Sequence, residues 1–349
     1  MHLVNARPTR RGVLRTALAV GGAGGLATLI DACGVQPKPA SAKTATRTSI
    51  GLQLDFLPLG RYAPYYYGVE KGIYSKRGLD VTIASSTGTG PALQQLVAGR
   101  QQMLFVDIPS MLDLMGKDPK PRMRSYAVVY ATAPETVFFY EGGSIRNPKD
   151  LEGKTIATSA GSTDFELFPL FAKANGIDMS TISWKTVSAS TKLSLMLEGE
   201  VDATTTYVMG LPGAQAGAKS GKKVGHFTYG DYGVKVYGNG LITTTEFASA
   251  HPPAVSAFVQ ASLEAYRQAF AKPQAAVEAM AKSVPTLDQD QAMAEVAIVR
   301  SLAMGPAQRA HGLGYQDPTV MHTSYEAVVK TLKQPIGRPV TDYYTNSAI

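Results

Sequence analysis

The chain has 349 residues, 44% of them apolar and 17% charged, with a formal net charge of +7. This composition excludes a disordered or membrane-embedded chain, and the length suits one large domain or two of ordinary size. With a single cysteine there can be no disulfide framework, so the fold has to rest on its apolar core.

Arg10 and Arg11 precede an uncharged stretch from Ala17 to Ile30, which runs into Leu29-Ile30-Asp31-Ala32-Cys33. A positive flank, a short apolar core and small residues at a cut site are the marks of an export signal. The stretch is shorter than the ~20 residues a bilayer-spanning helix needs. Residues 1–32 resemble a twin-arginine signal peptide ending in a lipobox. Cys33 would then carry lipid and anchor the mature chain to the membrane, in the periplasm or at the cell surface. The small-x-small run Ala40-Ser41-Ala42 offers an alternative cut that would release a soluble protein. Residues 1–32 hold four arginines and one aspartate, so about +4 of the net charge belongs to residue 33 onward. The later basic clusters, Lys117 to Arg124 and Lys219 to Lys223, lack the interleaved aromatics of a nucleic-acid groove. No nucleic-acid partner is expected.

Residues 33–47 read as a flexible tether of Pro, Ala, Ser, Thr and Lys. Ile50 to Leu54 then predicts a strand, Tyr65 to Tyr74 has helical spacing closing at Gly78, and Leu79 to Ile83 is a second strand. Pro91 opens a helix that stops at Gly99, and Met103 to Val106 is the next strand. This alternation predicts an α/β fold with mostly parallel sheets and helices on both faces. The unit recurs 100 residues later: Leu93–Val97, Gly99 and Met103–Asp107 are matched by Leu193–Leu197, Gly199 and Val201–Thr205. Two similar lobes are therefore expected. Further strands are predicted at Tyr126–Ala131, Thr136–Tyr140, Thr155–Thr158 and Tyr237–Thr244. From Pro253 the chain reads as helices over Ala254–Ala271, Pro273–Ser283 and Gln289–Leu302. Crossings near 132–136 and 234–241 would split the first lobe into 48–133 and 238–349 and leave 134–237 as a continuous second lobe.

Several chemistries fail on their residues. Gly153-Lys154-Thr155 resembles the end of a phosphate loop, but Pro148 stands where its first glycine belongs and a β-branched run follows. Gly88-Thr89-Gly90 lacks the third glycine of a dinucleotide loop, with Leu93 in its place. The five histidines show no metal-ligand spacing, and no G-x-S-x-G elbow is present. No catalytic group, metal or cofactor is expected. Two loops remain, Ser86–Pro91 and Ser159–Asp164, each following a strand and preceding a helix. Backbone N–H groups at a helix start attract electron-rich groups, and the hydroxyls of Thr87, Thr89, Ser162 and Thr163 would add directional bonds. Helix capping calls for the same residues, so both readings stay open. Asp55-Phe56 and the run Tyr62 to Tyr67, with Tyr62 and Tyr66, bring aromatic faces that could stack on a planar ligand. Tyr207 and Asp231-Tyr232 are similar candidates, with plain core packing as the alternative.

The segments Leu52-Gln53-Leu54-Asp55-Phe56-Leu57-Pro58 and Gly68-Val69-Glu70-Lys71-Gly72-Ile73-Tyr74-Ser75-Lys76-Arg77-Gly78-Leu79-Asp80-Val81 lead to a family. So do Lys149-Asp150-Leu151-Glu152-Gly153-Lys154-Thr155-Ile156, Leu197-Glu198-Gly199-Glu200-Val201-Asp202-Ala203, and Asp231-Tyr232-Gly233 followed by Tyr237-Gly238. Residues 48–345 resemble the solute-binding proteins of ABC importers in the nitrate, sulfonate and thiamine-pyrimidine-precursor group. That resemblance implies a periplasmic-binding-protein type II fold, two α/β lobes closing on a small-molecule ligand without altering it. The monomeric closed form would dock on a membrane permease driven by an ATPase subunit. Carried over by position, the ligand wall would comprise Asp55, Phe56, Thr87, Gly88, Thr89, Gly90, Asp107, Ser110, Gly161, Ser162 and Tyr207. Two positions depart from the pyrimidine branch: Phe56 stands where tryptophan is usual, and Leu211 precedes Pro212 where glutamate is usual. Leucine cannot accept the protons of an aminopyrimidine, which favours a less basic, aromatic solute. The alternatives are an enzyme making a pyrimidine precursor, whose histidines and cysteines this chain lacks, and a ligand-sensing partner of a membrane receptor.

Overall fold

A computed structural model describes residues 47–118, 120, 122–331, 333 and 337–349. The arginine pair, Cys33, the alternative cut at 40–42 and nearly all of the expected tether lie outside the described residues. The strands are β1 (Thr48–Leu54), β2 (Leu79–Ala84), β3 (Met103–Asp107), β4 (Met123–Val128), β5 (Glu135–Tyr140), β6 (Thr155–Thr158), β7 (Ser183–Thr186), β8 (Ala203–Tyr207), β9 (Val224–Thr228) and β10 (Asn239–Thr244). They form two five-stranded sheets, ordered β2-β1-β3-β10-β4 and β7-β6-β8-β5-β9. The orders superpose position for position, and the repeated units put β3 and β8 at the centre of each sheet. Gly99 and Gly199, which stop the helices before these strands, have φ of 69° and 82°, the left-handed conformation a helix end favours.

The sheets are mixed rather than mostly parallel. β1 runs parallel to β2 and β3, and β6 parallel to β7 and β8. β10 is antiparallel to β3 and β4, and β5 to β8 and β9. The cause lies in the crossings. A chain leaving one lobe enters the next pointing back against the strands already there, so β5 and β10 arrive reversed.

The crossing segments lie side by side. Val129 and Tyr130 both donate their N–H to the carbonyl of Asn239, at 2.8 and 2.9 Å, and Gly238 donates to Tyr130 at 3.0 Å. β4 ends at Val128 and β10 begins at Asn239, both shorter than the runs expected from the sequence, and Ala131 donates its N–H to the Leu302 carbonyl at 2.8 Å. A Cβ at Gly238 would sit 2.7 Å from Pro134 Cδ and 3.0 Å from the carbonyl of Thr132. Gly238→Ala is therefore expected to destabilise by about 1–3 kcal/mol in urea unfolding, as overpacking does. Gly90→Ala, where a Cβ meets nothing within 4 Å, should leave the midpoint almost unchanged. Equal midpoints for the two variants would mean that the crossings are not tightly apposed.

Helices cover both faces of each sheet. On one face of the first, Leu52, Leu54 and Phe105 pack under Tyr62, Tyr65 and Tyr266 from the helical segments. On the other face, Leu104, Val106 and Ile242 meet Met111, Leu112, Met321 and Val328. The second sheet alternates in the same way: Val137, Phe139 and Ile156 face Phe168 and Phe171, while Phe138 and Ala157 face Met196 and Ala214. This is the period-two alternation of strands covered on both faces. The C-terminal helices Pro252–Ala271, Pro273–Ala281 and Gln289–Leu302 close to expectation. The first helix is shorter than its spacing predicted: it covers Ala63–Glu70, and the chain then turns at Gly72 with φ of 66°.

Candidate ligand-binding site

The central parallel strands end along one seam between the lobes, the side of an open α/β sheet where ligands bind. β3 delivers Asp107, which caps the helix Ile108–Lys117: its Oδ1 accepts the N–H of Ser110 at 2.7 Å. Its Oδ2 accepts the hydroxyl of Thr163, from the second lobe, at 2.8 Å. Ser110 Oγ lies 2.9 Å from Thr163 Oγ1. Asp107, Ser110 and Thr163, all expected at the site, thus form one buried bridge that joins the lobes. Burial pushes the Asp107 carboxyl up to about 6, against the hydrogen bonds from Ser110 and Thr163, and the charge of Asp55 adds to the rise.

β1 delivers Asp55, whose carboxylate accepts the Tyr62 hydroxyl at 2.6 Å and the Asn239 amide at 3.1 Å. Tyr62 is fully buried and its hydroxyl is committed, so it serves the core beneath the seam rather than a stacking surface. Tyr66 is partly buried against that same core. Beside them lies Arg61, buried at 6% exposure. Its guanidinium sits 4.7 Å from the Tyr62 ring centroid, 5.6 Å from that of Phe56 and 5.9 Å from that of Tyr207. Burial opposes its charge, but Tyr62, Asp55, Tyr130 and Glu295 more than compensate and hold it protonated. Phe56 and Tyr207, from opposite lobes, are thereby gathered round one cation.

The glycine-rich loops approach differently. Ser86 donates its N–H to the Phe56 carbonyl at 3.1 Å, drawing the Thr87–Gly90 loop to the end of β1. Thr87 and Gly90 are exposed, and Gly88 and Thr89 half-buried. The helices Thr89–Val97 and Thr163–Glu166 have no side-chain cap bond among the described residues. The hydroxyls there are not spent on capping. Ser162 Oγ donates instead to the Ser159 carbonyl at 2.8 Å, beside the exposed Gly161. Asp231 is exposed and Tyr232 packs edge-on to Phe227 and Phe171, on the core of the second lobe rather than with Asp107 and Thr163.

Three charged residues that no sequence motif marks lie in this region. Arg61 is one. Lys192 is the second, its ammonium 2.5 Å from Asp164 Oδ2 with both side chains buried. The third is Glu135, the first residue of β5, with 0% exposure and neither carboxylate oxygen partnered among the described residues. Burial and the charge of Asp107 hold its carboxyl well above the ordinary range. A signal did exist for Glu135: it is the only acid in a run otherwise buried and apolar or hydroxylic, Thr136 to Phe139. Among the described residues, no three His, Cys, Asp or Glu side chains gather in a way that could hold a metal ion. A cavity of about 480 Å³ opens elsewhere, lined by Arg124, Tyr126, Ala248, Pro252, Ser256 and Ala348. Its lining residues come from the segments that carry the first sheet and the C-terminal helices, away from Asp107 and Thr163.

Comparison with known proteins adds a family. The family model described as NMT1/THI5 like matches residues 60–276. The riboflavin-binding protein RibY of Chloroflexus aurantiacus is 22% identical over 304 residues, covering 83% of this chain and 85% of that one. The alkanesulfonate-binding protein SsuA from Xanthomonas axonopodis pv. citri, solved bound to MOPS, superposes with a TM-score of 0.65 at 15% identity, covering 84% of this chain and 95% of that one. The periplasmic nitrate-binding protein NrtA from Synechocystis PCC 6803 gives a TM-score of 0.59 at 13% identity, covering 86% and 87%.

Proposed function

From the premise that the chain belongs to the NMT1/THI5-like family, we propose that it is an extracytoplasmic solute-binding protein of an ABC import system. It captures a small planar organic solute between its lobes, leaves it chemically unaltered and hands it to a membrane permease. The observation that carries this reading is the meeting of strand ends from both lobes. Asp107 and Ser110 reach Thr163, and Arg61 gathers Phe56 and Tyr207. Entry of a solute requires that the Ser110–Thr163 bridge part and the lobes open about the crossings near Gly238. Contacts that a solute makes with both lobes then favour the shut form. A planar solute suits the aromatic faces of Phe56 and Tyr207, and the resemblance to a riboflavin-binding protein puts a flavin first among candidates.

A thermal-shift screen of the purified protein against riboflavin, pyrimidines, aromatic carboxylates, sulfonates and nitrate tests the reading. A solute that binds only the folded form adds about 2.7 kcal/mol at 100 times its dissociation constant. Phe56→Ala and Tyr207→Ala should each lose most of that gain. Full retention by both would put the solute elsewhere. Chemical turnover of the bound compound would replace capture with catalysis.

The reading includes export by the twin-arginine route and a lipid anchor on Cys33. Cys33→Ser should move the protein from the membrane to the soluble fraction of its host. An unchanged distribution would favour the cut at 40–42 or another anchor.

A further inference from the structure

Glu135 has no structural duty that its surroundings reveal. Its backbone is pinned on both sides: the Pro134 carbonyl accepts the Val208 N–H at 2.8 Å, and the Glu135 carbonyl accepts the Tyr229 N–H at 2.8 Å. The side chain is held in place at 0% exposure, and among the described residues no other residue bonds to either carboxylate oxygen. Native proteins leave few such groups, because an unsatisfied buried acceptor costs on the order of 1–3 kcal/mol or more. A second observation lies directly opposite. Glu135 pairs in register with Tyr207, which sets the two side chains on the same face of the sheet, and the Tyr207 hydroxyl is also buried and unpartnered among the described residues. Asn239 Oδ1 and Asp164 Oδ1 are likewise unsatisfied there. The orphaned atoms of Glu135, Asp164 and Asn239 are acceptors only, while the orphaned hydroxyls of Tyr130, Thr136, Ser159 and Tyr207 can donate as well as accept.

The charges point the same way. Four carboxyl groups, of Asp55, Asp107, Glu135 and Asp164, are buried around the seam. The buried cations facing them are Lys192, committed to Asp164, and Arg61, which neighbours Asp55 and Glu295. A compact anion would find the acceptor oxygens of Glu135, Asp164 and Asn239 there, with Lys192 and Arg61 already neighbouring carboxylates. A solute with N–H groups would satisfy the orphaned acceptors, while its plane lay against Phe56 and Tyr207.

We propose that Glu135 is the specificity-determining acceptor of the seam, taking an N–H of a planar heterocycle such as an imide or an amino-substituted ring, and that the seam discriminates against sulfonate and nitrate. This rests on the reading that a solute binds between the lobes. It separates the chain from the sulfonate- and nitrate-binding proteins whose fold it shares. Burial favours the neutral acid in the unliganded protein, and a donated N–H would relieve that penalty.

The test uses the purified protein with two variants, Glu135→Gln and Glu135→Leu, and four probes: riboflavin, which carries an imide N–H, 4-amino-5-hydroxymethyl-2-methylpyrimidine, methanesulfonate and nitrate. The expected result is that an N–H-bearing probe stabilises the wild-type protein and neither anion does. Glu135→Gln should then bind that probe at least 10-fold more weakly. Without any probe, Glu135→Leu should melt higher than wild type, because an orphaned acid has been removed; a residue kept for folding would melt lower. Undiminished binding by Glu135→Gln, preferential binding of either anion, or a lower melting temperature of unliganded Glu135→Leu would each overturn the proposal. If the wild-type protein binds none of the four, the capture reading itself falls, and this proposal with it. Binding by wild type that Glu135→Gln leaves intact removes only the proposal.

Discussion

Lys192→Met is expected to lower the unfolding free energy by about 3–5 kcal/mol, the usual cost of removing one member of a buried ion pair. The Lys192 ammonium lies 2.5 Å from Asp164 Oδ2, and the two side chains are 6% and 1% exposed. Methionine fills nearly the same volume, so the loss would come from charge rather than from a cavity. It would leave Asp164 buried with no cation, and its Oδ1 already has no partner among the described residues. The double variant Lys192→Met/Asp164→Leu should recover most of the loss, because well-packed apolar replacements of a buried pair are often neutral or stabilising. Urea unfolding with a constant m-value measures both. A loss below about 1 kcal/mol in the single variant would mean that water reaches the pair and that it behaves as a surface salt bridge.

The second large effect is on pH. The Asp107 carboxyl stands at about 6 in the folded chain against an ordinary 3.8, and that of Glu166 at about 7 against 4.5, chiefly through burial. Glu135 is displaced in the same direction. A carboxyl raised by folding holds its proton in the native state after the unfolded chain has lost it. Below about pH 4 both states are protonated and nothing is lost. As pH climbs through 4 to 6 the unfolded state releases protons first, and stability falls. For Asp107 the full loss above pH 6 is about 3 kcal/mol, at 1.36 kcal/mol per unit. Glu70, Asp150, Asp178 and Glu326 are lowered instead, and their stabilisation is lost as pH falls below the ordinary carboxylate range, outside this window. They are surface groups and their effect is screened. Urea midpoints taken between pH 4 and pH 8 should therefore decline. Asp107→Asn, which keeps the helix cap but cannot ionise, should flatten the profile by about 3 kcal/mol. A wild-type protein more stable at pH 8 than at pH 4 would contradict the burial of these groups.

Much of the architecture is legible in the sequence. The runs around Leu52, Phe105 and Phe138 declared strands because continuous apolar stretches bounded by glycine and proline have few other uses. Gly99 and Gly199 declared helix ends, and both take the left-handed conformation. The repetition of the unit ending in β3 by the one ending in β8 announced two like lobes, and their sheets have the same strand order. These features are encoded within a dozen residues of chain, where periodicity, capping and turn chemistry act.

The site was legible only in part, for a related reason. Asp107 and Ser110 lie three residues apart as a cap and its helix, and it is the family resemblance rather than any local pattern that points to them. Their partner Thr163 comes from more than fifty residues away, and no local pattern sets that distance. Tyr62 and Tyr207 look alike in sequence, yet one seals the core beneath Asp55 and the other reaches the seam. The reversed direction of β5 and β10 follows from where the crossings re-enter each sheet. The burial of Arg61, Glu135 and Lys192 depends on the meeting of both lobes or of distant helices. Sequence determined which segments are strand, helix and turn in this protein, because those choices are made by neighbours along the chain. Tertiary structure alone decided which charges are buried and which acceptors are left waiting, because desolvation depends on every segment that closes over a group.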